Sequence, residues 1–285
     1  MAQVWGMRLI LTVTLVMIAF AANSVLNRMA LVGAEMGPAS FAAVRLLSGA
    51  IALWLLIRLR RSGRIAFDAM GAGSLLVYAI GFSFAYVTLD AGAGALILFG
   101  VVQVTMFAGA LIAGETVPAR RYVGAAMALI GLAYLLWPSA AVAPDLGGAA
   151  LMVVAAIAWG IYSLHGRGAS DPLALTGSNF VFAVPVGVLI ALIWRDAMPV
   201  DGVVLAVLAG AITSGLGYAL WYHVLPQITP SVAAVVQLTV PVIAVLGGVV
   251  FLSEPLTIQL VIAACLVLGG IVVSLISISA LVRRS

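Results

Sequence analysis

Lysine is absent from this 285-residue sequence, and cysteine occurs once. The lone Cys265 lies in an apolar run, which excludes a disulfide framework and a cysteine-ligated metal site. Charge is also scarce, because 8% of the residues are charged whereas a soluble domain carries about 25%. With 65% hydrophobic residues and a mean hydropathy of +1.28, the composition predicts an all-α integral membrane protein.

Recognisable catalytic motifs are missing as well. The sequence has no H-E-x-x-H or G-x-S-x-G pattern, no Walker-type glycine loop and no pair of aspartates inside an apolar span. Enzyme chemistry and ATP-driven transport are therefore disfavoured, and neither a cofactor nor a metal is predicted. The isoelectric point near 9.6 comes from thirteen arginines, and in a bilayer protein this excess does not indicate a nucleic-acid partner.

Ten apolar stretches are each long enough for a membrane-spanning helix, which needs about 20 residues. They cover residues 8–32, 38–59, 66–89, 91–113, 118–138, 147–166, 172–194, 202–225, 229–252 and 257–280. The breaks between them are short and carry proline, glycine or charge, so no soluble domain is expected. The first run continues through Asn23 without an A-x-A-type site, which favours a spanning helix over a cleaved signal peptide.

Arginine placement predicts the orientation, because cytoplasmic loops retain positive charge. With the N-terminus inside, the arginines on the inner side are Arg8, Arg58, Arg60, Arg61, Arg64, Arg120, Arg121, Arg167, Arg283 and Arg284. The outer side has only Arg28 and Arg195. We therefore expect a multi-pass protein of the bacterial inner membrane with both termini in the cytoplasm.

A degenerate internal repeat relates the two halves of the chain. Gly92–Gly131 and Ser231–Gly270 are both apolar segments broken once, at a corner that carries a glutamate, and they are 139 residues apart. The matched pairs at that offset are Glu115 with Glu254, Ser24 with Ser163, and Arg28 with Arg167. Because each copy has five helices, an odd number, the copies (1–138 and 147–285) are predicted to be inverted. Inverted repeats support alternating access around a site near the midplane.

This organisation resembles the drug/metabolite transporter superfamily, in its ten-helix EamA-type branch. The residues that carry the resemblance are Gly114-Glu115 with Gly124 and Gly131, Ser253-Glu254-Pro255 with Gly269-Gly270, and Pro241 within Ser231-Val232-Ala233-Ala234…Pro241. The first copy departs from the pattern at Val102 and Gly92. Among subfamilies, the chain looks most like the bacterial exporters of aromatic amino acids. The resemblance implies inner-membrane export of small metabolites without ATP.

Aromatic residues in the middle of a span are the first candidates for a substrate cavity, since Trp and Tyr normally gather at the membrane interfaces. Trp159 falls near the centre of the sixth stretch, and its indole N–H needs a partner such as Tyr162 or Ser163 on a nearby turn. Matching aromatic stripes lie in the third and eighth stretches: Tyr78, Phe82 and Tyr86, and Tyr218 with Tyr222. Packing and substrate binding are both open for these side chains, and their occurrence in both halves favours a shared cavity.

Polar residues inside apolar stretches complete the candidate set. Gln103 and Gln237 suit either interhelical hydrogen bonding or substrate binding, and Gln237 lies a turn before Pro241, which frees a backbone carbonyl. Arg45 is the one charge well inside a stretch. It is a candidate charged contact for a substrate carboxylate, with snorkelling towards the outer interface or Glu35 as the alternative.

The remaining ionisable residues are assigned to structure. Glu115 and Glu254 are expected to stabilise helix starts, where free N–H groups and the positive dipole end favour a carboxylate. His165 and His223 fall near the ends of apolar stretches, where solvated or packed histidines are common. No acid lies in the middle third of any stretch, so facilitated movement is expected instead of proton coupling.

Together these features predict a secondary transporter that exports small metabolites by alternating access around a midplane cavity. The expected substrates are amino acids with aromatic or bulky apolar side chains. A channel or a lipid flippase shares the same bundle and is the alternative, followed by a multispanning membrane enzyme. The expected partners are a small-molecule substrate and the lipid bilayer, with no nucleic acid, and the protein is expected to be a monomer or a homodimer.

Overall fold

A computed structural model describes residues 6–60, 63–137, 144–228 and 230–275, without the side chains of 230–232 and 234. Every regular element in these ranges is helical, as predicted. The helices are α1 (Met7–Gly33), α2 (Pro38–Arg60), α3 (Ala69–Ala85), α4 (Ala91–Ile112), α5 (Ala119–Leu136), α6 (Leu146–His165), α7 (Pro172–Trp194), α8 (Val200–Gln227), α9 in two pieces (Pro230–Gln237 and Thr239–Leu252) and α10 (Ile258–Leu275). The features predicted at Arg61, 138–143, 229, 276–280, Arg283 and Arg284 lie outside the described residues.

Helix packing follows the predicted inverted repeat. α5 packs on α10 and α2 packs on α7, so these helices contact their own counterparts in the other half. α3 and α4 pack on α6, as α8 and α9 pack on α1. This exchange of partners is what an axis in the membrane plane produces. The protein is therefore an all-α membrane protein of two inverted five-helix repeats.

The two ends of the bundle differ in charge. Odd-numbered helices begin at one end, here called the arginine-rich end, whose described arginines are Arg8, Arg58, Arg60, Arg64, Arg120, Arg121 and Arg167. The opposite end, here called the Glu254 end, has Arg28 and Arg195. The helix order therefore places most of the described arginines at one end of the bundle, as the sequence predicts.

Acidic residues serve mainly at helix starts. Five of the nine acids accept a hydrogen bond of 2.6–3.1 Å from a backbone N–H in the first turn of a helix: Asp68, Asp145, Asp171, Asp196 and Glu254. Those N–H groups have no acceptor within their own helix, and the dipole there favours a negative charge. The acids are therefore held at the ends of the bundle and not in its middle.

α3 is shorter than the predicted stretch 66–89. Its helical turns end at Ala85, and the Nη1 of Arg28 donates to the carbonyls of Tyr86 and Val87 at 2.9 and 2.8 Å. A helix end leaves its last carbonyls without helical partners. A single guanidinium satisfies two carbonyls here and lets the chain turn directly into α4.

α9 is interrupted at Leu238, and Pro241 explains the position. Proline has no N–H to donate to the carbonyl four residues earlier, and its ring clashes with that carbonyl. The residue four positions before Pro241 is Gln237, the last residue of the first helical piece. The break therefore falls where the proline removes the helical hydrogen bond.

α8 also departs from regular geometry, because Leu208–Leu216 forms π-helical turns. Gly210 allows α2 to approach closely, since a methyl group there would lie 2.2 Å from the carbonyl oxygen of Arg45. π-helical turns are frequent at functional sites. This one holds Thr213 and Ser214 in the buried centre of the bundle.

α5 and α10 meet through glycines at repeat-related positions. A methyl group on Gly131 would lie 3.1 Å from the carbonyl oxygen of Ala263, and one on Gly270 would lie 2.5 Å from that of Gly124. The residues in both contacts are related by the offset of 139. Small residues let membrane helices approach closely, so this contact joins the two halves through their backbones.

Replacing Gly270 by alanine is expected to destabilise the bundle, because the added methyl would collide with backbone and not with a flexible side chain. Overpacking of this kind costs about 1–3 kcal/mol, which should lower the melting temperature of the purified protein in detergent. Gly269→Ala is the matched control, since its nearest neighbour would be the Met127 methyl at 3.7 Å. Equal melting temperatures for the two variants would contradict the described contact.

Candidate functional site

A cavity of about 710 Å³ lies between the two halves. Small-molecule sites usually measure about 300–1,000 Å³. Its wall extends to residues at the arginine-rich end, which include Arg121, His165, Arg167, Leu225 and Ser274. The cavity therefore opens at that end of the bundle. Arg28, Asp90 and Glu254, at the opposite end, are not part of its wall.

All nine residues predicted to bind substrate lie in the wall of this cavity. They are Tyr78, Phe82 and Gln103 from the first half, and Trp159, Tyr162, Ser163, Tyr218, Tyr222 and Gln237 from the second. The structure thus brings together side chains from α3, α4, α6, α8 and α9. Contact with a substrate stays a prediction for each of them.

Trp159 is the centre of an aromatic cluster. Its ring stacks on Tyr162 and Tyr218, with centroids 5.1 and 5.6 Å apart and interplanar angles of 23° and 22°. Tyr78 lies against it at 4.7 Å with a tilt of 44°. The expected indole hydrogen bond to Tyr162 or Ser163 is not formed, because Tyr162 stacks and the Ser163 hydroxyl donates to the Trp159 carbonyl at 2.8 Å. The cluster therefore presents flat apolar surface to the cavity.

Hydroxyl groups form a polar edge beside these rings. The Tyr162 hydroxyl donates to the Thr176 hydroxyl at 3.2 Å, and Thr176 is 2.9 Å from the Tyr222 hydroxyl. Asn179 is 1% exposed, and its Oδ1 has no hydrogen-bond partner among the described residues. Both Thr176 and Asn179 line the cavity. The α7 side of the wall thus contains neutral groups able to hydrogen-bond to a solute.

Gln103 and Gln237 come from α4 and α9, which are counterparts in the repeat. Both are half-buried and line the cavity. Gln237 precedes the break in α9, where Pro241 frees its backbone carbonyl. The Gln237 amide therefore lies in the wall next to a carbonyl that receives no hydrogen bond from residue 241.

Arg45 lies behind the wall and is 2% exposed. Its Nη2 donates to the Tyr78 hydroxyl at 3.1 Å, and its Nε is 3.4 Å from the hydroxyl of Ser214. The guanidinium carbon is 5.2 and 5.0 Å from the ring centres of Tyr78 and Phe82. The alternative of snorkelling towards the interface or Glu35 is wrong, because the side chain is enclosed between α2, α3 and α8.

The charge of Arg45 is not matched by an acid. All nine acids lie in the described residues, and none approaches within 4.0 Å of this guanidinium. Its Nη1 has no hydrogen-bond partner among the described residues. Placing an arginine at this depth costs about 3 kcal/mol on insertion scales, and desolvated aromatic faces offset about 2 kcal/mol each. The rings therefore stabilise the cation without neutralising it.

A buried junction closes the Glu254 end. The carboxylate of Glu254 accepts from the N–H of Ala91, the first residue of α4, at 2.9 and 3.0 Å, and lies 3.5 Å from Arg28. These side chains are 10% and 14% exposed. Glu254 was expected to stabilise the start of its own helix, but α10 is capped by the Thr257 hydroxyl, which accepts from Leu260 N–H at 3.1 Å. Burial raises the pKa of Glu254, and the Ala91 N–H and Arg28 oppose that rise.

The repeat-related pair at the other end is loose. Arg167 and Glu115 are 3.8 Å apart, and their side chains are 51% and 50% exposed. Arg167 corresponds to Arg28 and Glu115 to Glu254 at the offset of 139. The same two residues thus form a tight, buried junction at one end and an open, solvated pair at the other.

Histidines lie near this open end. His165 Nε2 is 2.9 Å from a carboxylate oxygen of Asp68, which also caps α3. His223 is exposed, and its carbonyl accepts from Gln227 at 2.9 Å. No group of three His, Cys, Asp or Glu side chains suited to a metal is assembled in the described chain.

Several wall residues were not predicted. Phe20 and Ser24 from α1, Thr176 from α7 and Thr213 from α8 all line the cavity. Each is a single polar or aromatic residue in an apolar helix, and helical spacing alone does not separate an inward face from a packed one. Thr213 lies in the π-helical turns, so an assignment that assumes regular α-helical spacing would put it on the wrong face of α8.

Comparisons with known proteins are consistent with this arrangement. A model of the EamA-like transporter family matches residues 146–276, which correspond to the second half. An uncharacterised protein of Pseudomonas aeruginosa is 48% identical over 270 residues, covering 93% of each chain. An uncharacterised transporter of Archaeoglobus fulgidus is 26% identical over 71% of this chain and 74% of its own.

Two further comparisons also cover most of the chain. An uncharacterised transporter of Bacillus subtilis, YoaV, is 23% identical over 83% of this chain and 87% of its own. A protein of known crystal structure superposes with a TM-score of 0.65 at 20% identity, over 92% of this chain and 98% of its own. At that identity the structural match concerns the fold alone.

A cysteine placed at Ser163 is expected to react with a membrane-impermeant thiol reagent applied from the arginine-rich end. The experiment uses a Cys265→Ala background, which removes the native thiol, and vesicles of both orientations. Ser83→Cys is the control, because that position is 0% exposed and should stay unlabelled from either side. Labelling of Ser163→Cys from the Glu254 end alone would contradict the described opening.

Proposed function

The chain belongs to the EamA-like transporter family, and we propose that it is a secondary transporter that exports amino acids with aromatic or bulky apolar side chains. The observation that carries the proposal is the central cavity, whose aromatic rings come from both halves. Offset-stacked or tilted rings favour each other beyond their buried area, so a flat solute suits the surface around Trp159. The volume of about 710 Å³ accommodates a solute of this size.

The proposed direction is export, and the open end of the cavity supports it. We propose that the arginine-rich end faces the cytoplasm of a bacterial cell, because retained cytoplasmic loops carry the arginines. In that orientation the cavity receives solute from the cytoplasm and has to release it on the far side. Both chain termini then lie in the cytoplasm.

Facilitated, gradient-driven movement is the proposed energetic mode. No aspartate or glutamate is part of the cavity wall, and the acids lie at helix starts and in loops. Proton-coupled carriers usually place such groups inside the membrane. His165 reaches the mouth of the cavity but is paired with Asp68.

Alternating access is proposed to proceed by exchange of the two repeat-related junctions. In the present conformation Arg28 and Glu254 form a buried pair at 3.5 Å, whereas Arg167 and Glu115 form a solvated pair at 3.8 Å. If the halves exchange conformations, the second junction closes as the first opens. A channel needs no such exchange, so the closed Glu254 end favours a carrier over a pore.

Replacing Trp159 by alanine is expected to raise the KM for phenylalanine counterflow in proteoliposomes by about tenfold, since aromatic contacts contribute about 0.5–1.5 kcal/mol beyond the area they bury. Trp137→Ala is the matched control, because that tryptophan is 68% exposed and lies outside the cavity wall. A panel of amino acids defines the substrate class. Absence of saturation and counterflow for the whole panel would overturn the carrier in favour of a pore or a flippase.

Glu254→Gln is expected to shift the protein towards the conformation open at the Glu254 end, because the amide loses the charge that holds Arg28 and α4. A charged hydrogen bond contributes about 1.5–3 kcal/mol, which changes the ratio of the two conformations about tenfold or more, so the rate at which the Ser163→Cys reporter is labelled from the arginine-rich end should fall. Glu115→Gln, the repeat-related control, should not reduce it. Equal labelling of both variants would exclude Glu254 as a gate.

A further inference from the structure

The electrostatic character of the cavity is one-sided. No acid is part of its wall, and Arg121 lies at its mouth beside His165 and Arg167, which are paired with Asp68 and Glu115. Behind the wall, Arg45 is buried without a carboxylate within 4.0 Å. In a low-dielectric interior, an unmatched charge acts strongly on a group placed near it. The cavity therefore favours solutes that bring a negative charge.

Tyr78 connects the buried cation to the cavity. Arg45 Nη2 donates to the Tyr78 hydroxyl oxygen at 3.1 Å, so the hydroxyl hydrogen remains to be donated elsewhere. No described residue accepts it, and Tyr78 is part of the cavity wall. A hydroxyl whose oxygen already accepts from a guanidinium is a stronger donor, because hydrogen bonds in a chain polarise one another.

The aromatic rings nearest Arg45 are poorly placed to bind an ammonium group. The guanidinium of Arg45 already lies over the rings of Tyr78 and Phe82, and a second cation near Tyr78 would be repelled by Arg45. The wall contains no carboxylate to pair with an ammonium, and its side-chain oxygens, such as those of Gln103 and Asn179, are neutral.

We infer that the site recognises an aromatic carboxylate: the Tyr78 hydroxyl donates to the substrate carboxylate, and Arg45 is the positioning residue that supplies the positive charge behind it. The inference rests on the proposed transport function and deepens it. A substrate needs the carboxylate and the aromatic ring, whereas its amino group is dispensable. Amino acids and aromatic acids that lack an amine then share one site.

The proposed preference for a carboxylate is tested first on the wild-type protein. Binding of three probes with the same ring is measured directly, by titration calorimetry on the purified protein: 3-phenylpropionate, its neutral amide 3-phenylpropanamide, and the cation phenethylamine. A charged hydrogen bond in place of a neutral one is worth about a factor of ten. We expect the acid to bind about tenfold more tightly than the amide, as that factor implies, and the amine to bind most weakly. Equal binding of acid and amide would overturn the inference.

Variants separate recognition from a structural role. Tyr78→Phe keeps the ring and removes the hydroxyl, and Arg45→Met removes the charge. Both are expected to weaken acid binding more than amide binding, which reduces the acid-to-amide affinity ratio towards one, and Arg45→Lys should restore part of the ratio. A purely structural role would weaken acid and amide alike, and a ratio that survives both changes would also overturn the inference.

Matched controls lie outside the cavity. Tyr122→Phe removes an exposed hydroxyl, and Arg58→Met removes an exposed guanidinium that covers Trp54 on the same helix as Arg45. Neither change should alter the ratio. Should Arg45→Met fail to fold, Tyr78→Phe and the wild-type probe series still decide the question.

The experiments distinguish failure of the proposed transport function from failure of the proposed carboxylate site. Selective binding of 3-phenylpropionate with no phenylalanine counterflow would overturn the proposed transport function and keep the carboxylate site. Counterflow of phenylalanine with no preference for the acid over its amide would keep the transporter and overturn the site. No binding of any probe would overturn the carboxylate site.

Discussion

The buried junction of Arg28, Glu254 and the first N–H of α4 is the contact on which the shape of the molecule depends. It joins the end of α1, the start of α4 and the loop between α9 and α10 through distances of 2.9–3.5 Å. Asp90, 3.5 Å from Arg28, completes the junction, and charges with so little exposure interact more strongly than charges in water. The junction therefore closes the Glu254 end among the described residues, and the cavity wall extends to the arginine-rich end.

The irregular parts of α8 and α9 lie beside the cavity. In a bilayer, non-helical turns are tolerated only inside the protein or beside a cavity. The π-helical turns of α8 and the break in α9 both meet this condition, since Thr213 and Gln237 line the cavity. The first-half counterpart of Pro241 is Val102, and α4 accordingly runs unbroken. One substitution between the repeats thus makes the two walls of the cavity different.

Sequence reasoning was most successful where the information is local. Span positions follow from apolar length, and Trp159 was recognised because an indole at mid-depth is unusual. The target of Glu254 was missed, because its partner Ala91 is 163 residues away and only tertiary packing brings them together. The surroundings of Arg45 were missed for a similar reason. Its neighbours come from α3 and from the π-helical part of α8, whose register regular helix geometry does not predict.

The two junctions use the same residue types, yet the chain does not make them energetically equal. Ala91 donates its N–H to Glu254, and the residue 139 positions later is Pro230, which has no N–H to offer Glu115. A hydrogen bond to a charged acceptor contributes about 1.5–3 kcal/mol, which corresponds to a factor of about ten to a hundred in the ratio of two conformations. The arginine-rich junction therefore lacks one stabilising contact in any conformation. If the halves exchange conformations as proposed, this single substitution favours the present opening at the arginine-rich end, and the two open states are unequally populated.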